Sequence, residues 1–173
     1  MIKALIPAFL TILIATSLQA QTLKMDEVDE FTGTNKKETS WCPLQASMKF
    51  GAKISWVRRD SVVAFKLKMT VGTGKVFSIH ENQEIMLKLT NGEVIKATAN
   101  SSEVTCRGCG ATGFSGSNAM GIEVYYSISN ADLAKLQSTL VEKIRIYTAS
   151  GYHEGKVKEP KALVFQNALK LVL

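Results

Sequence analysis

Cysteine and proline are scarce in this chain, with three of each in 173 residues. Three cysteines allow at most one disulfide within a monomer. Three prolines beside twelve glycines exclude a collagen-like, low-complexity or fully disordered chain. No apolar run reaches the roughly 20 residues that a spanning helix needs. Basic stripes interleaved with aromatic residues are also missing: Arg58-Arg59 is the only arginine pair and Lys36-Lys37 the only lysine pair. Nucleic-acid binders carry such stripes, so the formal charge of +6 reads as a scatter over solvated faces, and nucleic acid is not an expected partner. Neither a βαβ alternation nor a repeat of roughly 20–50 residues is visible. What is present is the composition of one globular domain, 46% hydrophobic and 21% charged. A chain of this size buries roughly two-thirds of the surface that its unfolded form exposes.

Residues 1–20 read as a secretory signal. Lys3 is the sole charge, residues 4–15 are apolar apart from Pro7 and Thr11, and Leu18-Gln19-Ala20 supplies a small residue ahead of Gln21. The expected mature protein is therefore a single domain, residues 21–173, periplasmic or secreted, with no transmembrane anchor once the signal is removed.

Along the rest of the chain the dominant period is two. Residues 23–31 and 37–41 flank a turn at Thr32-Gly33-Thr34-Asn35, and residues 48–57 form a further extended segment turned by Arg58-Arg59-Asp60. Residues 61–70 alternate most cleanly, with Val63, Phe65, Leu67 and Met69 against Ala64, Lys66, Lys68 and Thr70. That is the pattern of a strand with one buried and one solvated face. Residues 76–79 resume the strand pattern. Residues 84–90 and 93–99 make a hairpin through Asn91-Gly92, a pair suited to positive φ at both central positions. Residues 121–129, 141–148 and 152–158 are also strands. Ser129 with Asp132 three residues on marks a helix start, giving a short helix through Ser138. Pro160 suits a first helical turn, and Leu163, Phe165, Ala168, Leu169 and Val172 then recur at helical spacing. The expected fold is α+β: a curved antiparallel sheet, sandwich- or barrel-like, with a short inserted helix and a C-terminal amphipathic helix packed on the sheet.

Asp29-Glu30-Phe31-Thr32-Gly33 followed by Thr39-Ser40-Trp41, and later Lys143-Ile144-Arg145-Ile146-Tyr147-Thr148, Gly151-Tyr152 and Ala168-Leu169-Lys170-Leu171, carry a family likeness. In these two end regions the chain resembles small secreted proteins of unknown function from Bacteroidetes-type bacteria. The resemblance implies export and a single domain. It brings no catalytic residue with it.

Chemistry-bearing residues do not assemble into a motif. Cys106-Arg107-Gly108-Cys109 reads as a structural disulfide loop in an oxidising compartment. A redox-active pair needs its first cysteine at a helix N-terminus, and the glycine-rich segment after Cys109 forms no helix. Cys42 is expected as a reduced thiol buried beside Trp41 and Leu44. A zinc site from Cys42, Cys106, Cys109 and His80 or His153 lacks a second close pair of ligands. Gly113-Phe114-Ser115-Gly116-Ser117 has serine where a nucleophile elbow needs its second glycine. Gly72-Thr73-Gly74-Lys75 lacks the earlier glycine and the Ser/Thr of a phosphate loop. The acids at 26–30 lack the spacing of a calcium loop. No catalytic residue, metal or cofactor is therefore expected.

Residues 106–121 stand out, with five glycines in sixteen positions between two strands. Segments of that length inside a compact domain are commonly functional. The expected function is a non-enzymatic binding domain for a protein, peptide or glycan, using this loop, with Arg107, Phe114, Ser115 and Met120 as its contact residues. Two other classes stay open: a thiol-dependent or hydrolytic enzyme, and an envelope structural or assembly subunit with pairing sheet edges.

Overall fold

The structure is a computed structural model that describes residues 22–47, 49–72, 75–107 and 120–173. The expected signal and its junction at Gln21 lie outside the described residues. Strands β1 (Leu23–Val28) and β2 (Asn35–Thr39) form a hairpin, followed by β3 (Cys42–Ala46) and the long hairpin β4 (Phe50–Arg59) and β5 (Val62–Val71). After β6 (Ser78–Ile79) comes the hairpin β7 (Glu84–Leu89) and β8 (Val94–Ala99), then β9 (Glu103–Val104), β10 (Cys106–Arg107) and β11 (Met120–Ser127). Helix α1 (Asn130–Ser138), strands β12 (Val141–Thr148) and β13 (Gly151–Lys156) and helix α2 (Glu159–Val172) complete the order.

The main sheet runs β1-β2-β4-β5-β11-β8-β7-β12-β13, with β3 also on β4 and β10 also on β11, while β6 and β9 pair separately. Every pairing is antiparallel. The sheet does not close. It curls far enough that Gly155 of β13 lies against the side chain of Gln45 on β3, so close that a Cβ at 155 would sit 2.7 Å from it.

Register sets the inner face. Trp56, Phe65 and Tyr126 lie opposite one another on β4, β5 and β11, and so do Ile54, Leu67 and Val124. The Trp56 and Phe65 rings meet edge to face at 5.4 Å, and Phe65 stacks on Tyr126 at 5.4 Å. Helix α2 closes the open side with Ala162, Phe165, Ala168, Leu169 and Val172, and Phe165 lies 5.0 Å from Trp56. The Trp56 Nε1–H donates to the Phe165 carbonyl at 3.2 Å. Arg58 donates to the carbonyls of Val172 and Leu173, where a cation complements the negative end of the helix. Gln166 donates to the Leu136 carbonyl and ties α2 to α1.

The helix signals hold: Ser129 Oγ accepts the Asp132 N–H at the start of α1, and Pro160 lies in the first turn of α2. Leu163, expected to cover the sheet, is instead 42% exposed. The covering face follows 162, 165, 166, 169 and 172 at three- and four-residue steps, which leaves 163 on its flank. The Asn91-Gly92 hairpin forms, but through a longer loop in which Leu89 N–H donates to the Glu93 carbonyl and only Gly92 takes positive φ.

The lysine face of β5 is the main departure. Lys66 and Lys68 are buried, not solvated. Strands β2 and β3 form one edge along β4, interrupted at Ser40-Trp41, where the five residues from Glu38 to Cys42 span four on β4, Val57 to Ile54. Thr39 fills the gap, accepting the Trp56 N–H on its hydroxyl and the Ser55 hydroxyl on its carbonyl. Such a bulge re-aims the next side chain. Trp41 turns outward over the lysines, 4.4 Å from Lys68 Nζ and 5.4 Å from Lys66 Nζ. Glu38 accepts from Lys66 at 2.6 Å and from Lys24 at 3.1 Å, and Glu123 lies 3.6 Å from Lys68.

The Tyr126 hydroxyl is buried and has no hydrogen-bond partner among the described residues. Tyr126→Phe is expected to leave stability unchanged or raise it by up to about 1 kcal/mol, because it removes an unsatisfied polar atom. A thermal melt of the variant checks this, and a clear loss would mean that the hydroxyl is partnered.

Candidate functional site

The 106–121 segment leaves and rejoins the sheet at one defined place. Arg107 of β10 pairs with Met120 of β11, and Met120 pairs on its other side with Val71, the last residue of β5. Just before β10, the Thr105 N–H donates to the Phe77 carbonyl at 3.0 Å, and the Thr105 hydroxyl accepts the Phe77 N–H at 3.0 Å. Arg107 is exposed there. Met120, expected as a tip contact, is buried at the base of the segment, because its inward position on β11 belongs to the core face. Cys109, Phe114 and Ser115 lie outside the described residues, as does the expected Cys106–Cys109 pairing.

A cavity of about 460 Å³ opens at this end of the sheet, lined by Lys49, Val71, Lys75, Phe77, Tyr152 and His153 among others. Val71 and Phe77 form a buried apolar floor, while Lys49, Lys75 and Tyr152 stand exposed around it. His153 sits between two rings, 5.6 Å from Phe50 and 6.1 Å from Phe77. Burial lowers its pKa, so the imidazole is neutral at pH 7 and serves as a hydrogen-bonding group. The site thus combines an apolar floor, one neutral imidazole and two ammonium groups. That set suits an acidic ligand with an apolar part; Ser150 also lines the cavity, its hydroxyl 3.3 Å from that of Thr148, and among the described residues no nucleophile there is paired with a base.

Of the other sequence candidates among the described residues, His80 and Cys42 do not line the cavity. Ser78 Oγ and His80 Nε2 lie 3.3 Å from each other on the surface, two residues apart in one segment. Among the described residues no three His, Cys, Asp or Glu side chains gather as metal ligands. No helix among them is long and apolar enough to cross a membrane. Cys42 is a buried thiol that donates to the Ser40 carbonyl, with Sγ 3.7 Å from the oxygen, and burial pushes its pKa up to about 12. Thiolate is the reactive form, so Cys42 is expected to stay silent toward a thiol-reactive dye in native protein and to label on unfolding. Rapid native labelling, resolved by peptide mapping, would contradict this.

Of the cavity residues, Lys49 and Phe77 carry no signal in the sequence, Lys75 enters only as the end of the failed phosphate-loop pattern, and Tyr152 only within the Gly151-Tyr152 resemblance. Their convergence comes from the curl of the sheet, which brings the end of β5 to the start of β13. A second cavity of about 380 Å³ lies on the outer face over Val57, Ala64 and Tyr125. No protein-family model, curated protein or solved structure matches this chain.

Proposed function

We propose that the protein is an exported, periplasmic or secreted binding domain without catalysis of its own, taking a protein, peptide or glycan at the Phe77–His153 cavity with help from residues 106–121. One observation carries the reading: the cavity opens beside the Val71–Met120 pair, where that segment departs from the sheet. Its volume is typical of ligand sites, which combine an apolar lining with a few placed polar groups. Lys49 and Lys75 favour acidic ligands. In the same proposal Cys106 and Cys109 are bridged, since close cysteines oxidise in an exported protein. The bridge restricts one end of a glycine-rich loop and so lowers the entropy lost on binding. The likeness of the end regions to small secreted proteins agrees with export.

Titration of isotope-labelled protein with an acidic aromatic peptide and with an oligouronate tests the reading. Resonance shifts are expected to centre on Phe77, Tyr152 and His153, and Lys49→Glu with Lys75→Glu should suppress them. Replacing residues 110–119 by a short Gly-Ser connector should keep the fold and weaken binding. Shifts that fall elsewhere, or none with either probe, would overturn it.

A further inference from the structure

The β1–β2 turn presents a nearly naked aromatic side chain on a rigid support. Phe31 is 99% exposed and Val28 beside it 60%. The turn that carries them is heavily bonded. Asp29 Oδ1 accepts the N–H groups of Phe31 and Thr32 at 3.1 and 2.9 Å, and its other oxygen lies 2.5 Å from Lys36 Nζ. The Asp29 carbonyl accepts the Gly33 N–H at 2.8 Å, with Gly33 at φ +70 where a left-handed residue is needed. The Lys36 ammonium, then the Thr32 N–H, hold the Asp29 carboxyl far below the usual carboxylate range. An exposed phenyl on a flexible loop needs no explanation. One held out by a turn this well bonded is pre-organised for contact, and buried aromatic anchors carry most of the energy of interfaces.

Charge narrows the partner. Lys36 and Lys37 pair with Asp29 and Asp26, which leaves Glu30 next to Phe31 as the outward charge of the turn itself, while the exposed Glu27 and Arg59 lie further back on either side of Lys36. An acidic tip is repelled by anionic lipid, so a membrane surface is disfavoured. It is complementary to an apolar pocket with a cationic rim, and this chain owns one: the cavity floored by Val71 and Phe77 and flanked by Lys49 and Lys75. A cavity of about 150 Å³ already accepts benzene, so the 460 Å³ site has room for the phenyl and adjoining backbone.

A single molecule cannot make this contact with itself. Asn35 and Asp60 exchange hydrogen bonds at 2.9 Å, which fixes the β1–β2 turn beside the β4–β5 turn. The cavity lies at Val71, the other end of β5. Ten strand residues separate the two sites by roughly 30 Å. Two unlike, complementary surfaces at opposite ends make a head-to-tail contact that does not close on itself unless the rotation between copies allows a ring.

We infer that the occupant of the cavity is the Glu30-Phe31 tip of a second copy of this chain, so that the protein assembles head to tail. This rests on the cavity being a binding site, as proposed above, and names its partner. Sedimentation velocity of the purified protein over a concentration series tests it. Mass should rise with concentration and fall with added salt, because the rim contacts are ionic. Phe31→Ala should weaken association at least about tenfold, and the Lys49→Glu, Lys75→Glu double variant should do the same. All these side chains are exposed, and unchanged melting temperatures would exclude misfolding as the cause. Mixing the two variants is decisive. Each retains one intact surface, so the mixture should form a one-to-one dimer and nothing larger. A wild type that stays monomeric, or a Phe31→Ala protein that still assembles, or a mixture without dimer, overturns the inference. If the wild type is monomeric while the acidic aromatic peptide still shifts Phe77 and His153, only self-assembly falls. If neither occurs, the cavity reading falls with it.

Discussion

Removing residues 161–173 is expected to abolish cooperative unfolding. Phe165, Leu169 and Val172 are each at most 1% exposed. Burial of each is worth roughly 1.5–3 kcal/mol, or about 5–9 kcal/mol together, against a total stability of about 5–15 kcal/mol for a domain. The loss is larger than the helix's own contribution, since Trp56 would lose both the ring of Phe165 and the acceptor for its indole N–H. Phe165→Ala is the milder form. It leaves α2 in place over a cavity and should cost about 3–5 kcal/mol. Calorimetry separates the two: a broad or absent transition for the truncation and a sharp, lowered one for the point variant. A sharp transition near that of the intact protein in both would make α2 a peripheral appendage.

Glu38→Ala is expected to be the most damaging single change on the outer face. It strips Lys66, 6% exposed, of the carboxylate 2.6 Å away and leaves a charge buried under Trp41 and Tyr125. Breaking a buried pair from one side typically costs about 3–5 kcal/mol, whereas replacing both partners with apolar groups is often neutral. Glu38→Leu combined with Lys66→Met should therefore recover much of what Glu38→Ala loses, a result that pairwise attraction alone does not explain. The same pair predicts acid sensitivity. Burial by itself raises the Glu38 pKa, but the Lys66 and Lys24 ammoniums outweigh it and hold the carboxyl below its ordinary value. As pH falls, the unfolded chain thus takes up this proton before the folded one. The stabilisation is complete above about pH 4.3 and drains away as pH drops through the folded value. Denaturant melts between pH 7 and 3 should show that acid limb, and it should flatten in Glu38→Gln. An identical acid limb in that variant would assign the sensitivity to other carboxylates.

How far the sequence could be read depended on whether a signal was local. The alternation in β5, β11 and β12, the Ser129 cap and Pro160 are all encoded within a few residues, and each element formed where its pattern lay. Strand β3 was missed because Pro43 lowers strand expectation, yet an edge strand tolerates proline, and Pro43 lies opposite Lys53 on the edge of β4. Lys66 and Lys68 were read as solvated because alternation reports which face a residue takes, not what covers it. Their cover is Trp41, more than twenty residues earlier in the chain, turned by a one-residue bulge that leaves no mark in composition. The cavity failed for the same reason. Its walls come from residues about a hundred positions apart, from Lys49 to His153, and only the curl of the sheet joins them.

The helix that fills the open side of the sheet also governs the order in which this chain can fold. Hairpins such as β4–β5 and β7–β8 close locally, within a few residues of their turns. The contacts that secure the core are of another kind: Trp56 reaches Phe165 across 109 positions, and Arg58 reaches Leu173 across 115. Because α2 follows every strand, the inner faces of the early hairpins have no cover until the whole sheet has been laid down. Chains dominated by such distant pairings fold in milliseconds to seconds, not microseconds, since loop-closure entropy must be overcome before the contacts form. During that interval Trp56, Phe65 and Tyr126 stand open to water on a half-assembled sheet. The architecture that gives the finished protein a dense aromatic centre thus leaves that centre uncovered for as long as α2 has yet to dock.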